Sequence, residues 1–169
     1  TITLGYGQAG AGVYLAAGTL NNCWVISNQM QHVDGLDGVG VHMKSGLITN
    51  CLVAWNYAVR FNLGARGCGI FMTGGLVANS DILGNSGGHP FYNDGDNGAG
   101  ICMYGGTVDN CRIIGNIGLN AGYTLRGGAM FVSGAGSTVR NSTIASNLCQ
   151  GVIWSGHGHT TGGGMVLTG

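Results

Sequence analysis

The sequence predicts an all-β fold, a right-handed parallel β-helix (solenoid) of about five full coils, each with three short strands. Three observations predict it. Gly accounts for 36 of the 169 residues. Two short motifs recur in register at intervals of 28 to 31 residues over most of the chain. Only 7% of residues are charged and none is Glu, so the strong helix formers are nearly absent. Parallel strands joined by crossovers are right-handed in nearly all proteins.

The first motif is rich in glycine and opens each coil. It reads GAGVYL, GVGVHM, GCGIFM, GAGICM, GGAMFV and GGGMVL, and its third residue is Gly12, Gly40, Gly69, Gly100, Ala129 or Gly164. The next three residues alternate with a period of two, which is typical of a strand with one buried face. In the first copy we expect Val13 and Leu15 to point inward and Tyr14 to point outward.

A middle strand and a third strand complete each predicted coil. The middle strand contributes one inward apolar residue per repeat: Leu20, Ile48, Val77, Val108 and Val139. The third strand contributes a small inward residue and then an aliphatic one, as in Cys23 and Val25. Cys and Ser alternate at the small position, which favours buried thiols, although a single bridge between Cys23 and Cys51 stays open as an alternative.

The second motif places an Asn at each end of a seven-residue segment, from NCWVISN in the first copy to NSTIASN in the fifth. The opening Asn residues are Asn22, Asn50, Asn79, Asn110 and Asn141, and the closing ones are Asn28, Asn56, Asn85, Asn116 and Asn147. Asn tolerates the left-handed backbone of a tight corner, and stacked Asn side chains can hydrogen-bond from coil to coil. Both columns are therefore interpreted as structural ladders.

The paired motifs carry a family resemblance. Gly127-Gly128-Ala129-Met130 with Ile144-Ala145-Ser146-Asn147 resembles the repeats of polymorphic outer-membrane-protein and autotransporter-passenger β-helices, in the pectate-lyase-like superfamily. The family's frequent Phe in the second motif is Val or Ile here. The resemblance implies a right-handed parallel β-helix and an extracellular or cell-surface adhesive or structural segment. Because the superfamily also contains polysaccharide lyases and hydrolases, an enzyme is a second possibility.

The outward face of the first strand argues against catalysis. Glycosidic cleavage needs two positioned carboxyl groups, and no carboxylate stands at an outward position of this strand. We therefore expect no catalytic residue, no enzyme activity and no cofactor. Asp94 and Asp96, in NDGDNG, are a weak candidate for Ca²⁺ that lacks the bidentate Glu of a strong calcium loop. Asp81 with Arg112, and Asp109 with Arg140, stand one coil apart and predict ion pairs.

Aromatic residues are the candidate binding surface. Tyr14, His42, Phe71 and Phe131 share one outward column of the first strand, and the connections between repeats add Phe91, Tyr92 and Trp154. A second outward column, on the third strand, is also apolar: Ile26, Ala54, Leu83, Ile114 and Ala145. Exposed apolar stripes usually mark contact surfaces. For the first-strand column, the alternative is that the connections between repeats fold over it.

Charge and hydropathy argue against two classes of partner, nucleic acid and the membrane interior. Six basic and six acidic residues leave no basic surface for nucleic acid, and no apolar run is long enough to cross a membrane. Residues 1–169 are interpreted as a single β-helix domain that is a piece of a longer chain or a stackable subunit. We expect an extracellular structural or adhesive protein that self-associates end to end or laterally into a filament. The alternatives are a carbohydrate-binding β-helix that recognises glycans and a degenerate polysaccharide lyase-like domain.

Overall fold

The computed structural model describes residues 1–7, 9–31, 37–59, 66–87, 97–120, 125–151 and 160–168. Throughout these residues the regular structure is β-strand, and every pairing between strands is parallel. Each strand pairs with its counterpart one repeat away in sequence. The fold is therefore a parallel β-solenoid, as the repeats predict.

Two sheets of six strands carry the two recurrent motifs. Sheet 1 follows the glycine motif and contains Val13–Leu15, Val41–Met43, Ile70–Met72, Ile101–Met103, Met130–Ser133 and Met165–Thr168. Sheet 3 lies between the two Asn columns and contains Ile2–Thr3, Trp24–Ile26, Leu52–Ala54, Asp81–Leu83, Arg112–Ile114 and Thr143–Ala145. Both sheets stack the predicted strands in the predicted register.

Two further sheets have five strands each. Sheet 2 is the predicted middle strand and contains Thr19–Asn21, Leu47–Thr49, Leu76–Ala78, Thr107–Asp109 and Thr138–Arg140. Sheet 4 follows the closing Asn and contains Gln29–Gln31, Tyr57–Val59, Ser86–Gly87, Ile117–Asn120 and Leu148–Gly151. A small fifth sheet pairs Leu125–Arg126 with Thr160–Thr161.

Sheet 4 was not predicted. Each coil therefore has four principal strands, and the prediction of three was wrong. The coil count also differs slightly from the prediction. Sheets 2 and 4 each stack five strands, which are separated by four steps between coils, so the solenoid has about four turns instead of five full coils.

The core is a continuous stack of aliphatic and sulfur-containing side chains that sheets 1, 2 and 3 enclose. In the central coils, Ile70, Met72, Val77 and Ile82 are fully buried and belong to one cluster. Cys51 and Cys111 lie in the same cluster as thiols, and Cys23 packs against it. A smaller cluster of Met30, Val39 and Cys68 lies beside sheet 4.

The two corners of each coil that flank sheet 3 have left-handed backbone. The first is the opening Asn column, whose φ values lie between 48° and 53°. The second precedes the closing Asn and is formed by Leu4, Ser27, Trp55, Gly84, Gly115 and Ser146. Asn adopts this conformation readily, whereas a bulky residue such as Trp55 adopts it at a cost. These corners fix the angles between sheets 2, 3 and 4.

Candidate functional site

The closing Asn residues form the buried ladder that the repeats predict. The backbone N–H and the Nδ2 of Asn56 both donate to Oδ1 of Asn85, at 3.1 and 2.9 Å. Asn85 donates in the same way to Asn116, at 2.9 and 3.0 Å. Each Nδ2 also donates to a carbonyl of the preceding coil, such as that of Val53. The ladder continues through Asn28 and Asn147, and its role is structural.

The opening Asn residues have a different environment. Their side chains are exposed or lie at the surface, and they contact a neighbouring coil by one amide bond, as from Asn110 Nδ2 to Asn79 Oδ1 at 2.8 Å. Asn50 donates to Asn21, and Asn141 donates to Asp109. Asn22 occupies the same corner with φ 53°. In this column the backbone conformation, more than the amide, explains the choice of residue.

The outward aromatic column of sheet 1 forms a chain of ring contacts, which Tyr104 continues past Cys102. The Tyr14 and His42 rings are stacked with centroids 5.0 Å apart, and His42 and Phe71 are also separated by 5.0 Å. Tyr104, from the adjoining outward column, lies 5.7 Å from Phe71 and 5.9 Å from Phe131. These contacts join successive coils on one face of the solenoid.

Most of this column is buried. Phe71, Cys102 and Phe131 form their own apolar cluster with Val166 packed against it, and His42 is 9% exposed. Tyr14, in contrast, is 50% exposed. Tyr14 is therefore the ring of this column that is most open to a partner. Of the other candidate binding residues, Phe91, Tyr92 and Trp154 lie outside the described residues, as do the candidate calcium ligands Asp94 and Asp96.

A charged pair that the sequence analysis missed lies beside the buried rings. Arg66 donates from Nε and Nη2 to the two carboxylate oxygens of Asp37, each at 2.7 Å. Its guanidinium lies 5.2 Å from the Phe71 ring centroid and 5.9 Å from that of Tyr104. Burial disfavours the charge on Arg66, but the hydrogen bonds and charge of Asp37 outweigh this effect and raise its pKa. The ion pair with Asp37 thus fixes the guanidinium cation of Arg66 over the Phe71 and Tyr104 rings.

Burial also shifts two titratable groups in this column. It lowers the pKa of His42, although a hydrogen bond with the backbone of Asp37 opposes the shift. His42 Nδ1 is buried, and no hydrogen-bond partner for it stands among the described residues. Burial raises the pKa of the Cys102 thiol to about 12, so this thiol stays protonated and unreactive at neutral pH.

The predicted ion pairs between coils are present on the outer surface. Arg112 Nε donates to Asp81 at 2.6 Å, and Arg140 Nη2 lies 2.9 Å from Asp109. Hydrogen bonds from Asn141 and Arg140 lower the pKa of Asp109. Exposed pairs of this kind contribute little to the stability of a fold, because water screens their attraction.

Three further exposed aromatic residues lie on another side of the solenoid. Trp24 is on the outer face of sheet 3, Trp55 is on the corner that follows it, and Tyr57 begins a strand of sheet 4. They are 56%, 55% and 38% exposed, respectively. The outward apolar stripe of sheet 3 is more covered than a bare surface: Ala54 is buried, whereas Ile26, Leu83, Ile114 and Ala145 are half-buried.

Across the ranges that the structure describes, no group of three or more His, Cys, Asp and Glu side chains has an arrangement suited to a metal ion. In the same ranges, no helix has the length and apolar character needed to cross a membrane.

The fold defines the class of this protein as a parallel β-solenoid, one face of which has aromatic rings in contact from coil to coil. No protein-family model matches the sequence, and neither a curated protein nor a solved structure is found to be similar to it.

Proposed function

We propose that this chain is an extracellular structural or adhesive β-solenoid that associates end to end into filaments. The observation that carries the proposal is the continuity of the core to both end coils. In the central coils, the inward residues of sheets 1 and 3 are fully buried. At one end Val13 and Leu15 are only half-buried, and at the other Leu167 is 66% exposed. These end faces have the same apolar columns that stack inside the molecule.

Backbone groups support the same proposal. Val13–Leu15 pairs with Val41–Met43, and Met165–Thr168 pairs with Met130–Ser133, each along a single edge among the described strands. An unpaired parallel edge is a template for another strand. A head-to-tail contact between identical units that does not close generates a filament.

The extracellular and adhesive parts of the proposal rest on the resemblance of the repeats to autotransporter-passenger and polymorphic outer-membrane-protein segments. The low charge of the chain is consistent with close packing between copies, because little repulsion opposes it.

Light scattering and electron microscopy of the purified chain test the filament proposal. We expect the particle mass to grow with concentration and filaments with a subunit repeat of about 29 Å, because the six strands of sheet 1 and one end-to-end contact make six spacings of roughly 4.8 Å. Leu167→Asp places a charge on the end face and is expected to abolish the filaments. Leu76→Asp makes the same change on the outer face of sheet 2 and is expected to leave them intact.

A chain that remains monomeric at every concentration would refute the filament proposal. So would filaments that persist in Leu167→Asp, or that are lost equally in Leu76→Asp while circular dichroism shows both variants to be folded.

A further inference from the structure

An exposed aromatic surface, which we name the Trp24–Trp55 surface, lies at the corner between sheets 3 and 4. Two tryptophans define it, Trp24 at 56% exposure and Trp55 at 55%. Its floor is made of the outward side chains between them, Ile26, Leu52 and Ala54, which are half-buried or buried. Large apolar side chains exposed together are uncommon on a protein surface and usually mark a contact.

The positions of the two tryptophans follow from the register. Trp24 pairs with Leu52 in the next coil, and Trp55 lies three residues beyond Leu52. Strand rise is about 3.3 Å per residue and coil spacing about 4.8 Å, so the two Cα atoms are roughly 11 Å apart along a diagonal of the sheet. The surface is therefore elongated, and it suits an extended ligand better than a compact one.

Trp55 keeps its exposed position despite a strained backbone. Its φ is 53°, in the left-handed region, where the same corner has Leu4, Ser27, Gly84, Gly115 and Ser146 in other coils. A bulky residue is an outlier there, and such outliers persist mainly where function requires them. The Trp55 indole lies close to Gly84, since a Cβ placed at Gly84 would be 3.0 Å from its Cδ1. This contact orients the ring over the corner.

Polar groups line a shallow depression next to Trp24. Asn50, Asn79 and Asp81 border it. Nδ2 of Asn50 donates to Asn21, and Oδ1 of Asn79 accepts from Asn110, so the opposite end of each amide faces no partner among the described residues. Arg112 compensates the charge of Asp81. The depression thus offers one acceptor, one donor and a neutralised carboxylate beside an aromatic ring.

We propose that the Trp24–Trp55 surface binds a neutral polysaccharide. A sugar ring has an apolar C–H face that packs on an indole and a rim of hydroxyl groups that both donate and accept hydrogen bonds. The two indoles supply the apolar surface for the C–H face. Asn50, Asn79 and Asp81 supply the hydrogen-bonding groups for the hydroxyl rim. Because Arg112 already neutralises Asp81, the depression has no net charge with which to attract a basic or an acidic ligand. This site is independent of the end-to-end association proposed above.

Affinity electrophoresis in gels that contain one polysaccharide each tests the site. The probes are hydroxyethyl cellulose, galactomannan and dextran, all neutral, with acidic polygalacturonate for comparison. We expect retardation by at least one neutral polymer and none by polygalacturonate. In a Trp154→Phe background Trp24 and Trp55 are the remaining tryptophans, and their fluorescence, excited selectively over that of tyrosine, is expected to shift to shorter wavelength on binding.

Two variants separate loss of binding from loss of structure. Trp55→Gly removes an indole at a corner that already contains Gly84 and Gly115, so the variant is expected to be at least as stable as the parent. Trp24→Thr introduces the residue that Thr143 provides in the equivalent position of the last coil. Each is expected to weaken binding about three- to tenfold. Leu148→Ala, which removes an exposed apolar side chain on sheet 4 in a distant coil, is the matched control and is expected to bind normally.

The proposal is overturned if no neutral polymer retards the chain, or if polygalacturonate retards it as strongly. It is also overturned if folded Trp55→Gly and Trp24→Thr bind like the parent. Variants that change the sedimentation coefficient, and not the affinity for polysaccharide, would show instead that this surface contacts a second copy of the chain.

Discussion

At the scale of single residues, the two Asn columns have different physical roles although they look alike in the sequence. A closing Asn such as Asn85 is fully buried and makes hydrogen bonds to coils on both sides. An opening Asn such as Asn79 is at the surface, and its φ of 48° is what the corner requires. Buried polar groups are costly unless they are paired, so the closing column depends on the amide and the opening column on the backbone.

This difference predicts opposite responses to substitution. Asn85→Leu leaves the backbone N–H and Nδ2 of Asn56 without their acceptor, so we expect the free energy of unfolding to fall by about 3–5 kcal/mol. Asn79→Gly keeps an easy left-handed backbone and loses one surface amide bond, so a loss of at most about 0.5 kcal/mol is expected. Urea denaturation monitored by circular dichroism measures the free energy of unfolding of both variants. Similar losses in the two would contradict the different roles assigned to the two Asn columns.

His42 predicts a pH dependence of stability. Its pKa is lowered by burial in the folded chain, so between the unfolded value of 6.5 and the lower folded value the unfolded state binds more protons. The stability that neutral His42 contributes is therefore present above pH 6.5 and is lost as the pH falls toward the folded pKa. The variant His42→Phe fits between Tyr14 and Phe71 and cannot titrate.

The measurement is the free energy of unfolding of the parent and of His42→Phe between pH 5 and pH 8. We expect the variant to gain stability relative to the parent as the pH falls through 6.5. A stability difference between the two chains that stays constant over this range would contradict a lowered pKa for His42.

At the scale of elements, the sequence was sufficient for sheets 1, 2 and 3 because their inward columns are aliphatic in every coil. Sheet 4 has no such pattern. The residues that stand at one position in successive coils are Met30, Ala58, Gly87, Gly118 and Cys149. Its strands form because the left-handed corner before each closing Asn turns the chain back alongside its neighbour. Backbone pairing of this kind leaves no periodic signal in residue type.

The candidate site was predictable in part for a similar reason. The aromatic column follows from the period, but its burial depends on side chains from outside the strand, such as Tyr104 and Arg66. Asp37 and Arg66 did carry a signal, since each precedes the third residue of its glycine motif, Gly40 or Gly69, by three positions. The exposure of Trp55 had no signal, because it depends on a corner whose other occupants are small or aliphatic.

The glycine motif predicts a position-specific response. A Cβ at Gly69 would lie 2.5 Å from the carbonyl oxygen of Gly100 and 2.9 Å from Nδ2 of Asn85. At Gly164, the equivalent position in the last coil, the nearest atom is 3.8 Å away. We expect Gly69→Ala to lower the free energy of unfolding by about 2–3 kcal/mol and Gly164→Ala to change it by less than about 0.5 kcal/mol. Equal effects in thermal or urea unfolding would argue against close contact of the ladder with the glycine column.

At the scale of the whole molecule, stability is distributed along one axis. Among the described strands, each coil pairs with the coils before and after it, so a coil in the middle is supported on both faces and an end coil on one. The core follows the same gradient: Ile70 and Ile101 are fully buried, whereas Val13 and Met165 at the ends are half-buried.

This gradient predicts the order of hydrogen exchange in the dilute, unassociated chain. Amides of Ile70–Met72 and Ile101–Met103 donate within a sheet that has neighbours on both sides, so they open only when the solenoid unfolds as a whole. Those of Val13–Leu15 and Met165–Thr168 belong to coils that can open separately. We expect exchange to be slowest at the centre and progressively faster toward both ends. Raising the concentration until filaments form should slow exchange at the two end strands and leave the centre unchanged. Uniform protection in the dilute chain would contradict the nearest-neighbour account of stability, and end strands that exchange equally fast in both conditions would show that the filament contact does not use them.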